Sequence, residues 1–406
     1  MSNTNLTVDW IGNEALRLAH EKASFIGTIN REFDSTYRPG FGQTIRIRIP
    51  SQYVTRSGRV MDVQDGVQLS TALTVATQWG VDLRYNSQEM AQDLVNFQRL
   101  HLEPAMAQLV SYLDGACLSS ATQQTPNQVW QGAAIPISGL SQTGIARARL
   151  NQNLAPKDTR RIQVDSVNMS NIVSSVAAYF NPSGAISEQY REGLIARTGM
   201  ADYYENERVY SHTNASTVVA FSSSGSGISH GSVSMVISSG FATVGSVFSI
   251  RGAASTVKGF AVHPETKAAY TYAQQFTVLS VTQNTSTITF SPPIYTTGSR
   301  KNVANADGSD LSSTGSAATS MILFDGFLSS TYPTPLMYYR DAFTFATAPL
   351  PLMDDAIRCV VKTYDGISLR VWEGSDIRND EKLTRIDILW GFAAIRPQWA
   401  CRIIGT

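Results

Sequence analysis

The sequence predicts an α+β fold interrupted by an all-β insert. Three observations carry this. Thr44–Pro50 alternates strictly and Leu73–Leu83 alternates on the way back, the mark of a long two-stranded hairpin. From Asn96 to Ser119, residues Leu102, Met106, Leu109, Leu113, Ala116 and Cys117 recur at three- and four-residue steps, so they share one face of a long helix. From about Asn214 to Thr319 charges almost vanish, and short β-branched runs alternate with turn residues.

The whole chain sets bounds on what it can be. At 406 residues it is too long for one ordinary core, so two or three domains are expected. Lys plus Arg balances Asp plus Glu at 32 each, which argues against a dedicated nucleic-acid binder. Charged residues make up 16% of the chain, against a usual share of about 25%. So few charges suit a surface covered by neighbouring chains, or one rich in Ser and Thr, and this sequence has that composition too. Cys117, Cys359 and Cys401 are an odd, sparse set and read as reduced thiols. The N-terminus shows no basic and apolar pair of regions of a signal peptide, and no apolar run reaches the ~20 residues of a membrane span. A protein made and folded in a cytoplasm is expected.

The elements follow in order. Val8–Lys22 is a short amphipathic helix with Ile11, Ala15, Leu18 and Ala19 on one face. Phe25–Tyr37 has no clear period and reads as an arm that needs something to lie on, or as a frayed terminus. In the hairpin, Ile45, Ile47 and Ile49 face one way, and Arg46 and Arg48 the other. Gly58, Asp62, Asp65 and Gly66 lie in its polar tip. An isolated hairpin is marginal in water, so it rests on a neighbour or folds back on its own domain. Asn86–Glu89 is a box-like helix start before the long helix, for which Asn96 is a candidate N-cap. Pro104, well inside that helix, removes a backbone bond and bends the axis. Residues 120–145 read as a polar linker.

Further on, Arg160–Val164 reads as a strand and Ser170–Phe180 as a helix stopped by Asn181-Pro182. Within the insert, Val233–Ile237, Val247–Ile250, Phe276–Val281 and Thr287–Phe290 are strands of a small barrel or sandwich, and His263–Lys267 is a turn. Ile357–Thr363, Ile367–Val371 and Thr384–Trp390 are strands of the returning domain.

No catalytic, cofactor-binding or metal-binding residue emerges. His20, His101, His212, His230 and His263 are scattered singly, without ligand spacing. No phosphate-binding loop, dinucleotide fingerprint or nucleophile elbow occurs. Gly225-Ser226-Gly227 is linker composition, and Asp354-Asp355 reads as a solvated turn. Cys117 sits on the apolar helix face, as a small buried hydrophobe would.

Several stretches, in their order, carry a family resemblance. They are Leu102–Leu109, Asn153–Asp158, Gly193–Arg197 through Tyr204–Glu207, Val262–Lys267 with Gln274–Val278, and Arg385–Gly391 with Ala393–Pro397. Together they resemble the major capsid proteins of tailed bacteriophages, the HK97-like fold, in the P22-like coat protein branch that carries an inserted β-barrel domain. The resemblance covers nearly the whole chain. It implies an N-terminal arm over 1–40, an extended hairpin loop (E-loop) over 41–83, and a peripheral domain over 84–141 and 386–406 with its spine helix at 96–119. It further implies an apical domain over 142–213 and 331–385, and an inserted β-barrel over 214–330.

The implied function is a virion shell subunit, assembled in the bacterial host cytoplasm with a scaffolding protein and a portal. Its copies form hexamers and pentamers of an icosahedral procapsid. Packaged DNA is touched without specificity, and no membrane or cofactor is involved. Arg46, Arg48, Arg56 and Arg59 are the candidates for intersubunit ion pairs, and Pro104 for a bend in the spine. Some members of the wider fold weld the shell through a loop lysine. This chain has no Lys between Lys22 and Lys157, so a non-covalent shell is expected. The competing readings are a surface-displayed or secreted β-rich adhesin, from the Ser/Thr-rich insert, and an enzyme with a β accessory domain.

Overall fold

A computed structural model describes residues 8–33, 44–61, 63–66, 68–86, 101–130, 137, 139–177, 201–214, 229–236, 242–251, 257–282, 287–311, 321–324, 329–353, 358–364 and 367–404. The expected helix start at Asn86–Glu89, the Asn96 cap, the Asn181-Pro182 stop, the Gly225–Gly227 run and the Asp354-Asp355 turn lie wholly or largely outside these residues. The chain divides into two compact units: Met1–Ile47, Ser70–Cys117 and Phe343–Ile395 form one, and Arg48–Leu69, Leu118–Ala342 and Arg396–Thr406 the other.

The first unit is built on one long strand, Glu381–Ala394. Along one edge it pairs antiparallel with Ile367–Asp376 and then with Phe343–Ala348; Arg358–Tyr364 continues the sheet beyond Ile367–Asp376. Along the other edge it takes Thr77–Asn86, in register from Glu381↔Asn86 to Trp390↔Thr77. This corrects the expected hairpin. The return segment is two strands. Leu69–Thr74 pairs with Thr44–Ile49 as a ribbon, while Thr77–Asn86 leaves it for the sheet. The chain breaks at Val75 because it crosses closely over the central strand there. A Cβ on Gly391 would lie 2.2 Å from the Thr74 carbonyl oxygen, so only glycine fits. Leu73, Val75 and Ile47 pack with Ala346, Ala348 and Ala393 beneath this crossing.

The N-terminal helix spans Val8–Lys22 as expected and buries Ile11, Ala15, Leu18 and Ala19 against Arg358–Tyr364 and Ile367–Asp376. The segment after it is no loose arm. Phe25, Ile26 and Ile29 are buried, and Asn30 exchanges backbone hydrogen bonds with Phe343 and Phe345. Its anchor is Asp114 on the long helix. The Asp114 carboxylate accepts from the amides of Phe25 and Ile26, each at 2.9 Å, and from the Ser24 hydroxyl at 3.0 Å. Asp114 therefore caps the 3-10 turn Ile26–Thr28, where amide donors would otherwise be unpaired.

Within the described residues the long helix runs Glu103–Gln124, past the expected end at Ser119, with a π-type turn at residues 101–102 before it; the expected start at 96 lies outside the described residues. Leu102, Met106, Leu109, Leu113 and Cys117 are buried as the spacing predicts, and Ala116 is half-buried. Thr122 and Thr125 hydroxyls donate to the Leu118 and Ala121 carbonyls, each at 2.8 Å, and carry the helix past Ser119.

The second unit holds a five-stranded sheet in the order Gln128–Val129, Ala400–Ile403, Leu336–Tyr339, Arg160–Val164, Asp202–Glu205. Helices Leu140–Gln152 and Ser166–Ala177 share its core through Ala146, Leu150, Met169 and Ile172, packed with Ile162, Val164, Met337, Cys401 and Ile403. Two expectations change here. Residues 125–129 are buried and paired, so the expected 120–145 linker is partly ordered sheet. The C-terminal pieces also exchange places. Strands within 343–394 belong with 77–86, and Ala400–Ile403 belongs with 160–164 and 336–339, so the expected groupings of 331–385 and 386–406 do not follow the backbone ladders.

The insert leaves through a two-stranded neck, Ser211–Thr213 with Thr331–Pro333. It contains a five-stranded antiparallel sheet in the order Met321–Phe324, Val247–Arg251, Gln275–Thr282, Thr287–Ile294, Ser232–Val236. A second sheet has three strands, Ala269–Ala273, Phe260–Val262 and Val303–Ala304. Phe248, Phe276 and Phe290 meet at ring distances of 5.4 to 5.7 Å in the core, and Val303 of the smaller sheet joins them. Among the described residues the two edge strands of the larger sheet do not pair with each other. Over the described residues the insert is two sheets, and the closed barrel the resemblance implies is not found among them. The four strands expected within it are all present, and His263–Lys267 is the expected turn, with His263 Nδ1 accepting from the amides of Glu265 and Thr266 at 3.1 Å.

Gly391→Ala is expected to lower the stability of the first unit by about 1–3 kcal/mol or more, because backbone rather than a flexible side chain must yield. Thermal denaturation of the variant against the parent chain checks this, with an unchanged midpoint as the contrary result.

Candidate intersubunit contact surface

The ribbon Thr44–Ile49 keeps its predicted alternation. Ile47 is buried, Ile45 and Ile49 are half-buried, and Arg46 and Arg48 are exposed on the other face. Arg59 is exposed in the tip as well. Arg56 differs, because its Nη1 donates within the tip to the carbonyls of Gly58 and Val60, the latter at 2.7 Å. Opposite, Gln64 substitutes for a backbone rung: its side-chain oxygen accepts from the Val54 amide at 2.8 Å and its Nε2 donates to the Val54 carbonyl at 2.5 Å. Among the described residues the tip is therefore shaped by its own side chains, without a ladder across it.

What sequence reasoning missed is the apolar character of this tip. Val60, Met61 and Val63 are 84%, 76% and 73% exposed, and Tyr53 and Val54 are exposed beside them. The signal was present in the sequence as Val60-Met61 and Val63 within a segment read as polar. The arginines drew attention because charge is easier to read than exposure. The two features differ in strength. An exposed ion pair is worth roughly 0–1 kcal/mol, whereas full burial of a Val or Met side chain is worth roughly 1.5–3 kcal/mol.

Pro104 is the second residue of the α-helical run, directly after the π-type turn at His101-Leu102. Asp114, one turn before Cys117, is fully buried, which the sequence analysis did not single out.

One buried carboxylate of the first unit, Asp387, is held by two arginines. The Asp387 carboxylate accepts from Arg370 Nη2 at 2.7 Å and from Arg385 Nε at 2.8 Å, with Gly80 so close that a Cβ there would sit 2.5 Å from Asp387 Oδ1. The hydrogen bond to Asp387 and its charge hold the Arg385 guanidinium above its ordinary range. The two buried thiols, Cys117 and Cys401, stay protonated. Burial, then the charge of Asp114, pushes Cys117 up, and burial pushes Cys401 up to about 12. His212 is buried in the second unit, His263 accepts hydrogen bonds within its own turn, and His230 Nδ1 accepts from the distant Thr296 amide at 3.3 Å. Among the described residues no group of three or more His, Cys, Asp or Glu side chains is placed to hold a metal ion.

Residues 234–405 match the sequence model of the family described as P22 coat protein - gene protein 5. No curated protein sequence matches the chain. Among solved structures, one from Mycobacterium phage Che8 is similar over 94% of this chain and 90% of its own, at 9% identity and a TM-score of 0.48. The capsid of the cyanophage P-SCSP1u is similar over 90% of this chain and 84% of its own, at 10% identity and a TM-score of 0.45. The mature capsid of bacteriophage PhiM1 aligns over 90% and 83%, at 10% identity and a TM-score of 0.42. The family match takes in most of the insert, the sheet strands from 336 to 394 and the strand Ala400–Ile403, and over those residues the chain carries the pattern of the P22 coat proteins, the tailed-phage major capsid branch that its sequence resembles.

Proposed function

We propose that the chain is the major capsid protein of a tailed phage, and that its copies, as hexamers and pentamers, build the icosahedral head around the DNA. The observation that carries this reading is the P22 coat protein match over residues 234–405. The surface chemistry supports it. A ribbon with an apolar, self-shaped tip is poorly satisfied in a monomer and well satisfied on a second copy. In this reading Tyr53, Val54, Val60, Met61 and Val63 supply most of the contact energy, and Arg46, Arg48 and Arg59 orient it. Contacts of this size, repeated over a shell, add up through their number.

A scaffolding protein and a portal belong to the same reading, as does non-specific contact with packaged DNA. The shell is non-covalent, since the loop offers no lysine for welding. Pro104, at the π-to-α junction of the spine helix, is the point where the helix adapts to differently curved positions of the shell. The adhesin reading finds no support in the family match.

Three measurements test this. Expressed with its scaffold, the chain should sediment as particles or capsomers of very large mass and dissociate on a denaturing gel to one band near 44.2 kDa; a persistent small oligomer, or a ladder of covalent species, is the contrary outcome. Val60→Ser with Met61→Ser and Val63→Ser should leave the circular dichroism and melting of the subunit unchanged while cutting particle yield at least tenfold; normal yield removes the tip from the contact. Pro104→Ala should shift particle diameter or expansion with little change in subunit stability, and unchanged particles would remove the bend from the reading.

A further inference from the structure

We propose that Arg402 is the latch that holds the inserted β domain against the body of its own unit, and that His212 beside it makes the latch acid-sensitive. The proposal goes beyond the shell reading and does not depend on it.

Arg402 lies on the strand Ala400–Ile403, inside the five-stranded sheet, and is fully buried. Its guanidinium reaches three separate segments. Nη1 donates to the Gly245 carbonyl in the insert. Nη2 donates to Thr277 Oγ1 on an insert strand at 2.8 Å, and to the Gln123 carbonyl in the last turn of the long helix at 2.8 Å. Thr277 Oγ1 itself donates to the same Gln123 carbonyl at 2.7 Å. One cation thus ties the insert to a helix C-terminus, where the exposed carbonyls of the helix favour positive charge. Gln275 of the same insert strand accepts from the Gln128 amide at 2.8 Å, and Arg149 lies 3.2 Å over the ring of Tyr272. These contacts add two further links between the insert and the body of the same unit.

The cation is held by carbonyl and hydroxyl oxygens alone. Among the described residues no carboxylate acts on it, and burial brings its ordinarily very high pKa down to about 9. Any further positive charge here is costly. His212, in the neck strand, is the group that can supply it. Its Nε2 pairs with Asn214 Oδ1 at 3.0 Å and with Ser246 Oγ at 3.3 Å, and the rings of Tyr210 and Tyr332 each lie 6.0 Å away. Its Nδ1 is buried beside Gly245 with no hydrogen-bond partner among the described residues. A proton added to Nδ1 would meet no acceptor and would face the charge of Arg402.

Burial first, and then the Arg402 charge, lower the His212 pKa from 6.5 to about 4. The sign follows. The docked state binds the proton less well than the undocked one, so docking is at full strength above pH 6.5 and weakens as the pH falls from there to about 4. Each pH unit in that window shifts the docked-to-undocked ratio by up to about tenfold.

Hydrogen exchange on the full-length chain, corrected for intrinsic rates, tests both parts. The Gln128 amide, which donates to Gln275 of the insert, reports on docking, and the amides of Gly245 and Thr287–Ile294, bonded within the insert, report on its own fold. In the parent chain, acidification from pH 7 to pH 4.5 should lower protection at Gln128 at least tenfold while Gly245 and Thr287–Ile294 keep their protection. His212→Gln should abolish that response. An equal response in His212→Gln, or none in the parent, overturns the acid switch. At pH 7, Arg402→Met should expose the Gln128 amide with the insert still folded, and Arg402→Lys should do so to a smaller degree. Parent-like protection in either variant overturns the latch. Where Arg402→Met yields no soluble chain, protection in Arg402→Lys decides between the two outcomes.

Discussion

The first unit depends on a ladder that the chain can only make late. Thr77–Asn86 pairs with Glu381–Trp390 across roughly 300 intervening residues, among them the whole insert. Closing so long a loop is entropically costly before any contact rewards it, and pairings of this kind are slow to form. The sequence around the ladder is adapted to a close fit. Gly80 lies against Asp387, and Gly391 lies under the Thr74 carbonyl, positions where any Cβ would collide. Trp79 then stacks edge-on to Trp390 at 4.8 Å and meets Tyr112 of the long helix at 4.6 Å. The same ladder that brings distant segments together therefore also seats the spine helix.

Two buried charges show different solutions to one problem. Asp387 is a carboxylate out of water, and Arg370 and Arg385 compensate it directly at hydrogen-bond distance. Removing one partner of such a pair typically costs about 3–5 kcal/mol, since the other charge is left stranded. Arg402 has no such counter-ion among the described residues and relies on oriented carbonyls and a hydroxyl. Compensation by dipoles is more easily upset than compensation by a charge, because it depends on several segments staying in place together. The two clusters belong to different units. The ion pair hardens a sheet, whereas the lone guanidinium holds an added domain.

Local pattern made much of this fold legible. Val8–Lys22, Arg160–Val164 and the four insert strands follow from spacing and alternation, because one face of each is buried and the other wet. What was not legible is which distant segment each strand joins. Leu73–Leu83 alternates continuously, and nothing in its pattern shows that Val75 ends one pairing and Thr77 begins another. The closed barrel was an expectation carried over from the resemblance, and alternation alone cannot tell a closed sheet from two open ones. Asp114 and Arg402 were missed for a common reason: a charged residue is read as surface, and only its partners reveal that it is buried. Arg402 did leave a trace. It is the one charge in the otherwise apolar run Ala400-Cys401-Arg402-Ile403-Ile404.

The hairpin tip follows the same reasoning in the opposite direction. There the charges are the wet part, and the apolar side chains are the feature without a home. Arg56 turns its donors to the tip's own carbonyls, so it shapes the loop more than it seeks a partner. Val60, Met61 and Val63 stand on that shaped loop with most of their surface in water. A monomer gains nothing from this arrangement, and a flexible tip would lose much of any binding energy to ordering. A tip already braced by Arg56 and Gln64 loses less. Its exposed residues are therefore suited to docking on a surface that recurs at a fixed position, as a second copy of the chain does in a closed shell.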